Sequence, residues 1–207
     1  MTSSQLTRRD FLRHTTLYGS GLWIALQIPR PNAARAAAES EQPAALTPAE
    51  WATIEAITGR IIPTDAEPGA IEARCVNFID KALAHEDAQA RPLYALGVAG
   101  ADAAAQRRFG RPFVKLAPAE QDELLVLLED GRAPGWPDGP VASPAFFATV
   151  RAHTIIGFLA DPKYGGNHAF AGWKLVGYPG PRHHVGGYTP DQMLGRAKIK
   201  SVWGEEL

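Results

Sequence analysis

The 207 residues include a single cysteine, Cys75, and that scarcity removes several chemistries at once. One thiol cannot build a disulfide framework, a cysteine-based zinc site or a four-cysteine iron–sulfur cluster, and a c-type haem needs a Cys-x-x-Cys-His run. An excess of charge of one sign is also missing: 21 Lys and Arg stand against 22 Asp and Glu. A nucleic-acid binder presents a basic face, so that partner class is excluded. The sequence has no P-loop, no Gly-x-Gly-x-x-Gly after a strand, no Gly-x-Ser-x-Gly elbow, no His-Glu-x-x-His and no His-x-x-x-His. What remains is a chain with 45% apolar residues, enough for a globular core.

The N-terminus reads as an address. Thr7-Arg8-Arg9-Asp10-Phe11-Leu12-Arg13 follows the twin-arginine export pattern, with Arg8, Arg9, Phe11 and Leu12 as its determinants and Arg13 where lysine is usual. An uncharged stretch, Thr15 to Ile28, comes next. As a helix it would span roughly 21 Å, short of the ~30 Å hydrocarbon core, so it makes a poor permanent anchor. Small residues after it offer peptidase sites ending at Ala36 or Ala38. We therefore divide the chain into a signal over 1–36, a linker over 37–46, a helical domain over 47–160 and an extended segment over 161–207. The twin-arginine route carries folded cargo, yet this chain shows no cofactor motif of its own.

The helical domain is expected to be an all-α bundle of about five helices. Thr47-Pro48-Ala49-Glu50 is a capping box that opens the first helix, which Pro63 stops. Ile71, Cys75, Phe78, Ile79 and Leu83 form an apolar stripe on the second. On that stripe Cys75 reads as a small buried hydrophobe rather than a reactive thiol. A third helix covers Arg91 to Phe109, with Leu93, Leu96 and alanines as packing positions. Pro118 opens a fourth, buried through Leu124, Leu125, Leu127 and Leu128 and ended by Gly131. Ser143-Pro144 caps a fifth, through Phe146, Phe147, Val150, Ile155, Ile156 and Leu159.

After Ala160 the composition changes. Asp161 to Gly195 holds eight glycines, four prolines and the aromatics Tyr164, Phe170, Trp173, Tyr178 and Tyr188. That is too aromatic for a flexible linker and too rich in glycine for a helix or strand. An ordered loop on a surface, its own or a partner's, is the expectation, and large aromatics among turn residues suit an interface. Elsewhere the candidates for chemistry are weak. Tyr164-Gly165-Gly166-Asn167 could form an anion nest. His183-His184 reads as a solvated pair before it reads as a metal site. His153 reads as a structural histidine before an acid or base.

Gly157 to Asn167 (GFLADPKYGGN), continuing through Gly172 to Arg182 (GWKLVGYPGPR), resembles the signature of the gluconate 2-dehydrogenase subunit 3 family. Arg60-Ile61-Ile62-Pro63-Thr64-Asp65, Pro68-Gly69-Ala70 and Phe78-Ile79-Asp80 fit it too, so the resemblance runs from about Leu46 to Arg182. His168-Ala169 departs from the charged pair expected there, and the tail beyond Arg182 is not covered.

The resemblance implies a small, non-catalytic subunit of a periplasmic dehydrogenase. Its partners would be an FAD-containing large subunit of the glucose–methanol–choline type, a multihaem cytochrome c subunit in some complexes, and the twin-arginine translocase. FAD would belong to the large subunit and haem c to the third, with none in this chain, and any membrane association would come through the complex. The folded, FAD-loaded partner would then be the cargo that the leader exports. Asp161, Pro162, Tyr164, Gly165, Gly166, Asn167, Trp173, Tyr178 and Pro179 are the expected partner-binding residues, the alternative being that the aromatics fold back as a lid. No catalytic or metal-binding residue is assigned. Two other functions remain open: an exported enzyme using His153, Asp161 and Lys174, and a helical binding protein for a small ligand. Substrate choice would reside on the other chain.

Overall fold

The computed structural model describes residues 43–182 and 186–204. Arg8, Arg9, Phe11, Leu12, Ala36, Ala38, His183 and His184 lie outside the described residues. Those described form seven α-helices and no strand: α1 (Pro48–Ile61), α2 (Cys75–Ala84), α3 (Arg91–Phe109), α4 (Pro118–Glu129), α5 (Ser143–Leu159), α6 (Ala171–Val176) and α7 (Pro190–Met193). The all-α expectation holds. Among the described residues no helix is long and apolar enough to cross a membrane.

Proline and capping chemistry set the helix starts. Pro48, Pro118 and Pro190 occupy first helical positions and Pro92 and Pro144 second ones, where the missing N–H costs nothing. Thr47 Oγ1 accepts the Glu50 amide at 3.3 Å while Glu50 accepts the Thr47 amide at 2.7 Å, the reciprocal box read from the sequence. At α4 only half of such a box exists: Glu120 accepts the Ala117 amide at 2.7 Å, and alanine has nothing to return.

α5 is the central helix and packs against α1, α2, α3, α4 and α6. Its sequence explains this, since Phe146, Phe147, Val150, Thr154, Gly157 and Phe158 are all buried at i, i+1, i+4, i+8, i+11 and i+12, one broad face kept along the whole helix. Around it Ile54 and Ile57 of α1, Ile79 and Leu83 of α2, Tyr94 and Val98 of α3, and Leu124 and Leu128 of α4 complete the main core. α3 approaches closely because Ala101, Ala104 and Ala105 present little volume.

Three details differ from expectation. Ile71 is not part of the α2 stripe; it is 50% exposed, because Arg74 sits in the left-handed region at φ 54° and starts α2 afresh at Cys75. Leu96 faces outward, the buried side of α3 running through Tyr94, Gly97, Val98 and Ala101 instead. Ser143 is the first helical residue of α5, with Ala142 in the capping position.

The start of the described chain is clamped. The buried Asp80 carboxylate accepts the amides of Ala44 at 2.7 Å, Ala45 at 3.0 Å and Leu46 at 2.8 Å. Arg91 adds a bond from Nε to the Ala45 carbonyl at 2.9 Å and one from Nη2 to Glu50 at 2.5 Å. Burial pushes the Glu50 carboxyl up, but the Thr47 amide and Arg91 guanidinium outweigh it and hold the group below its ordinary value.

Candidate functional site

The family-like residues gather in a cap over the end of α5. The cap has a hydrophobic cluster of its own, in which Phe158, Ala171 and Leu175 meet Ile62, Ala70, Ala73 and Cys75. Cys75 is fully buried, and burial raises its thiol well above the ordinary range, so it packs as a hydrophobe.

Backbone contact, more than side-chain volume, fixes the cap. A Cβ on Gly172 would stand 1.8 Å from the Phe158 carbonyl oxygen, and one on Gly166 2.1 Å from that of Gly157. Only glycine permits either approach. Asn167, fully buried at φ 46°, joins the two contacts: its Nδ2 donates to the Ala160 carbonyl at 2.8 Å and its Oδ1 accepts the Gly172 amide at 2.8 Å. Ala169 and Phe170 follow at φ 53° and 58°, conformations that cost an L-residue about 1 kcal/mol or more each. The Gly-Gly-Asn run is therefore a closure for the end of α5. Gly166 packs on the Gly157 carbonyl, and Gly165, at φ 100°, lies against the Lys81 side chain.

Asp161 latches the tail to the cap. One carboxylate oxygen accepts the Lys163 amide at 3.1 Å and the other the Val202 amide at 2.7 Å, and the residue is buried. The Lys163 ammonium lies 2.9 Å above the centre of the Trp203 ring, a second tie between the same segments. Trp173 is 5% exposed; it stacks on Phe170 with centroids 5.3 Å apart, meets Tyr178 edge-on at 5.0 Å, and donates from Nε1 to the Leu159 carbonyl at 2.6 Å. Burial, a bond to Tyr188 and the Asp161 charge push the Tyr178 hydroxyl up to about 12. Tyr164 is raised too, by burial and then by the charges of Asp161 and Glu86.

The expected site residues thus divide by exposure. Asp161, Gly166, Asn167 and Trp173 are buried within the chain, whereas Pro162, Tyr164, Gly165, Tyr178 and Pro179 are part-exposed on the outer side of the cap. Trp173 faces inward, as in the lid alternative.

His153 belongs to a different group. Its Nδ1 is 2.9 Å from the Tyr94 hydroxyl and its Nε2 is 3.3 Å from an Asp87 carboxylate oxygen. A neutral ring with its proton on Nε2 satisfies both partners, Tyr94 donating and Asp87 accepting. Burial lowers the His153 pKa, against the opposing charge of Asp87, and raises that of Tyr94. Asp161 is committed to the tail amides, so the structure does not gather His153, Asp161 and Lys174 into one hydrogen-bonded set. Sequence reasoning named Asp80 only within the family-like run Phe78-Ile79-Asp80, without its role, and missed Asp87 and Tyr94. Among the described residues no group of three His, Cys, Asp or Glu could hold a metal ion.

A family model described as gluconate 2-dehydrogenase subunit 3 matches residues 48–180, the bundle and the cap together. No curated protein and no solved structure matches the chain.

Proposed function

Since the chain belongs to the gluconate 2-dehydrogenase subunit 3 family, we propose that it is the small, non-catalytic subunit of a periplasmic FAD-dependent dehydrogenase. In this reading it binds a large flavoprotein subunit of the glucose–methanol–choline type, whose substrate is a sugar, sugar acid or alcohol. The Arg8-Arg9 leader takes the folded, flavin-loaded pair through the twin-arginine translocase. A multihaem cytochrome c is a third component where the complex has one.

The cap is the observation that carries the proposal. The residues after Gly157 that carry the resemblance build an ordered platform of aromatic and turn residues, and the polar groups inside it are bonded to the chain's own backbone. Such a platform suits recognition of a protein surface. The cap is not built as a dinucleotide loop: Gly166 and Gly172 lie against carbonyl oxygens, where such a loop would hold its glycines open to a pyrophosphate, which supports assigning the flavin to the partner. Within the cap, Pro162, Tyr164, Tyr178 and Pro179 are placed at the subunit contact. Trp173, Asn167 and Asp161 act from behind as positioning residues.

Co-expression with a flavoprotein encoded beside this chain tests the reading. A stoichiometric, flavin-bearing complex in the periplasm is expected, and Arg8→Lys with Arg9→Lys should leave both subunits in the cytoplasm. Periplasmic flavoprotein at the wild-type level with the double variant would sink the escort role. Dye-reducing activity in the isolated small chain would sink the non-catalytic one.

A further inference from the structure

An aspartate followed by glycine is prone to internal rearrangement, because the glycine amide nitrogen can reach the aspartate carboxyl with no Cβ in the way. The sequence has two such pairs, Asp130-Gly131 and Asp138-Gly139, and no Asn-Gly. Both aspartates are exposed, so access to solvent does not separate them. Backbone bonding does.

Asp130-Gly131 sits in the closed turn that ends α4. The Asp130 amide donates to the Val126 carbonyl at 3.0 Å, the Gly131 amide to that of Leu128 at 3.2 Å, and the Arg132 amide to that of Leu127 at 2.9 Å. The Asp130 carboxylate is itself paired with Arg132. Swinging the Gly131 nitrogen onto the side chain would break its own bond and disturb the two beside it. Asp138-Gly139 lies in the loop between α4 and α5, flanked by Pro137 and Pro140, which bring no N–H of their own. Among the described residues neither Asp138 nor Gly139 takes part in a hydrogen bond or ion pair. A Cβ on Gly139 would meet nothing within 4 Å. Its nitrogen is neither held nor hindered.

We propose that Asp138 is a modification site, where this chain forms isoaspartate, and that the conversion unfastens the Trp136 turn from the bundle. The Gly139 nitrogen bonds to Asp138 Cγ, and its proton leaves as water with the hydroxyl of the protonated carboxyl, closing a succinimide. Water then adds at Cγ and restores aspartate, or adds at the Asp138 main-chain carbonyl carbon, whose bond to nitrogen breaks. The second route carries the chain through Cβ and Cγ and leaves a free α-carboxylate. One water is lost and one gained, so composition is unchanged and no other reactant is needed.

The product has one more backbone carbon between Trp136 and Val141, and that span is closed by a single side-chain bond, from Trp136 Nε1 to the Val141 carbonyl at 2.9 Å. The Trp136 ring lies against Gly100 of α3, where a Cβ would stand 2.8 Å from it, and beside Phe146 of α5 with centroids 6.0 Å apart. A seat this close leaves no room to absorb a change of loop length, so the bond and the ring contact both loosen.

The test ages the full-length chain at neutral pH and assays its tryptic peptides for isoaspartate by enzymatic methylation of the freed α-carboxylate. Cleavage after Arg132 puts the two pairs on separate peptides. Isoaspartate is expected on the peptide carrying 138 and not on the one carrying 130. Gly139→Ala, which the open surroundings accept, should suppress the product and leave the melting temperature unchanged. In urea, where the turn after α4 is gone, both pairs should react. Hydrogen exchange over 133–142 should quicken in the converted chain while α4 keeps its protection. The site is overturned if 138 stays unconverted, if 130 converts equally in the folded chain, or if the product persists in Gly139→Ala. A preference for 138 that survives unfolding would overturn its structural origin, and unchanged exchange over 133–142 would overturn the unfastening.

Discussion

The bundle and the cap are held together by different physics. Between residues 43 and 160 there are fifteen acidic and ten basic residues, and the helices interlock through large buried side chains such as Phe146, Tyr94 and Leu128. Between 161 and 207 there are four acidic and six basic residues, the helices shorten to six and four residues, and glycine backbones lie directly on carbonyl groups. A core built on volume tolerates change according to how well a hole can collapse. A cap built on backbone approach tolerates no added atom at the contact. The first arrangement suits a scaffold and the second suits a surface whose shape has to be kept.

The largest expected effect lies in the scaffold. Phe146→Ala removes a fully buried ring from the central helix and should cost about 3–5 kcal/mol of global stability, read by denaturant titration. Gly172→Ala should cost less globally, about 1–3 kcal/mol, but act locally, since the new methyl meets the Phe158 carbonyl. Hydrogen exchange should then speed up across 161–182 while α1, α3 and α4 keep their protection. Equal loss of protection in bundle and cap would show one cooperative unit and erase the distinction drawn between them.

A milder change sharpens the comparison. Asp161→Asn keeps the shape of the latch but offers one acceptor oxygen to two amides, so one of the bonds to Lys163 and Val202 is lost and the other loses its charge assistance, for about 1–3 kcal/mol felt locally. Faster exchange at Val202 and Trp203, with the unfolding midpoint nearly unchanged, is the expected result. A global loss of several kcal/mol would instead place Asp161 in the scaffold.

How much of this could be read from sequence follows the same division. The bundle was legible because its signals are local. Thr47-Pro48-x-Glu50 marks the start of α1, Pro118 the start of α4, and Arg91 to Phe109 the whole of α3. The failures there came from single residues with non-helical backbone, Arg74 above all, which removed Ile71 from its stripe. The cap was legible as a change of composition but not as a structure. Glycine at 166 and 172 signals permission without naming what approaches, and the short helix Ala171–Val176 was not anticipated. Asp80 and His153 were obscure for another reason: their partners lie 34 to 36 and 59 residues away in the chain. The three groups bound by Asp80 are backbone amides, which carry no residue type to read.

The smallest effect expected is carried by one proton in the scaffold. Burial holds the folded-state pKa of His153 below the ordinary value of 6.5, so the unfolded chain takes up a proton more readily than the folded one. The stability that depends on neutral His153 is therefore complete above about pH 6.5 and is lost as the pH falls through that value towards the lowered one. Asp87 works against this by favouring the imidazolium, which keeps the loss modest. His153→Gln removes the titration but keeps a side chain able to bond Tyr94. The difference in unfolding free energy between wild type and variant should be widest near pH 7.5 and narrow on going to pH 5.5. The lowered carboxyl of Glu50 titrates beneath this window and is common to both proteins, so it cancels in the difference. A gap that instead widens at low pH would mean that protonated His153 is the stabilising form, paired with Asp87. The Tyr94–His153–Asp87 group would then be an ion pair, and the neutral bridge assigned to it would be wrong.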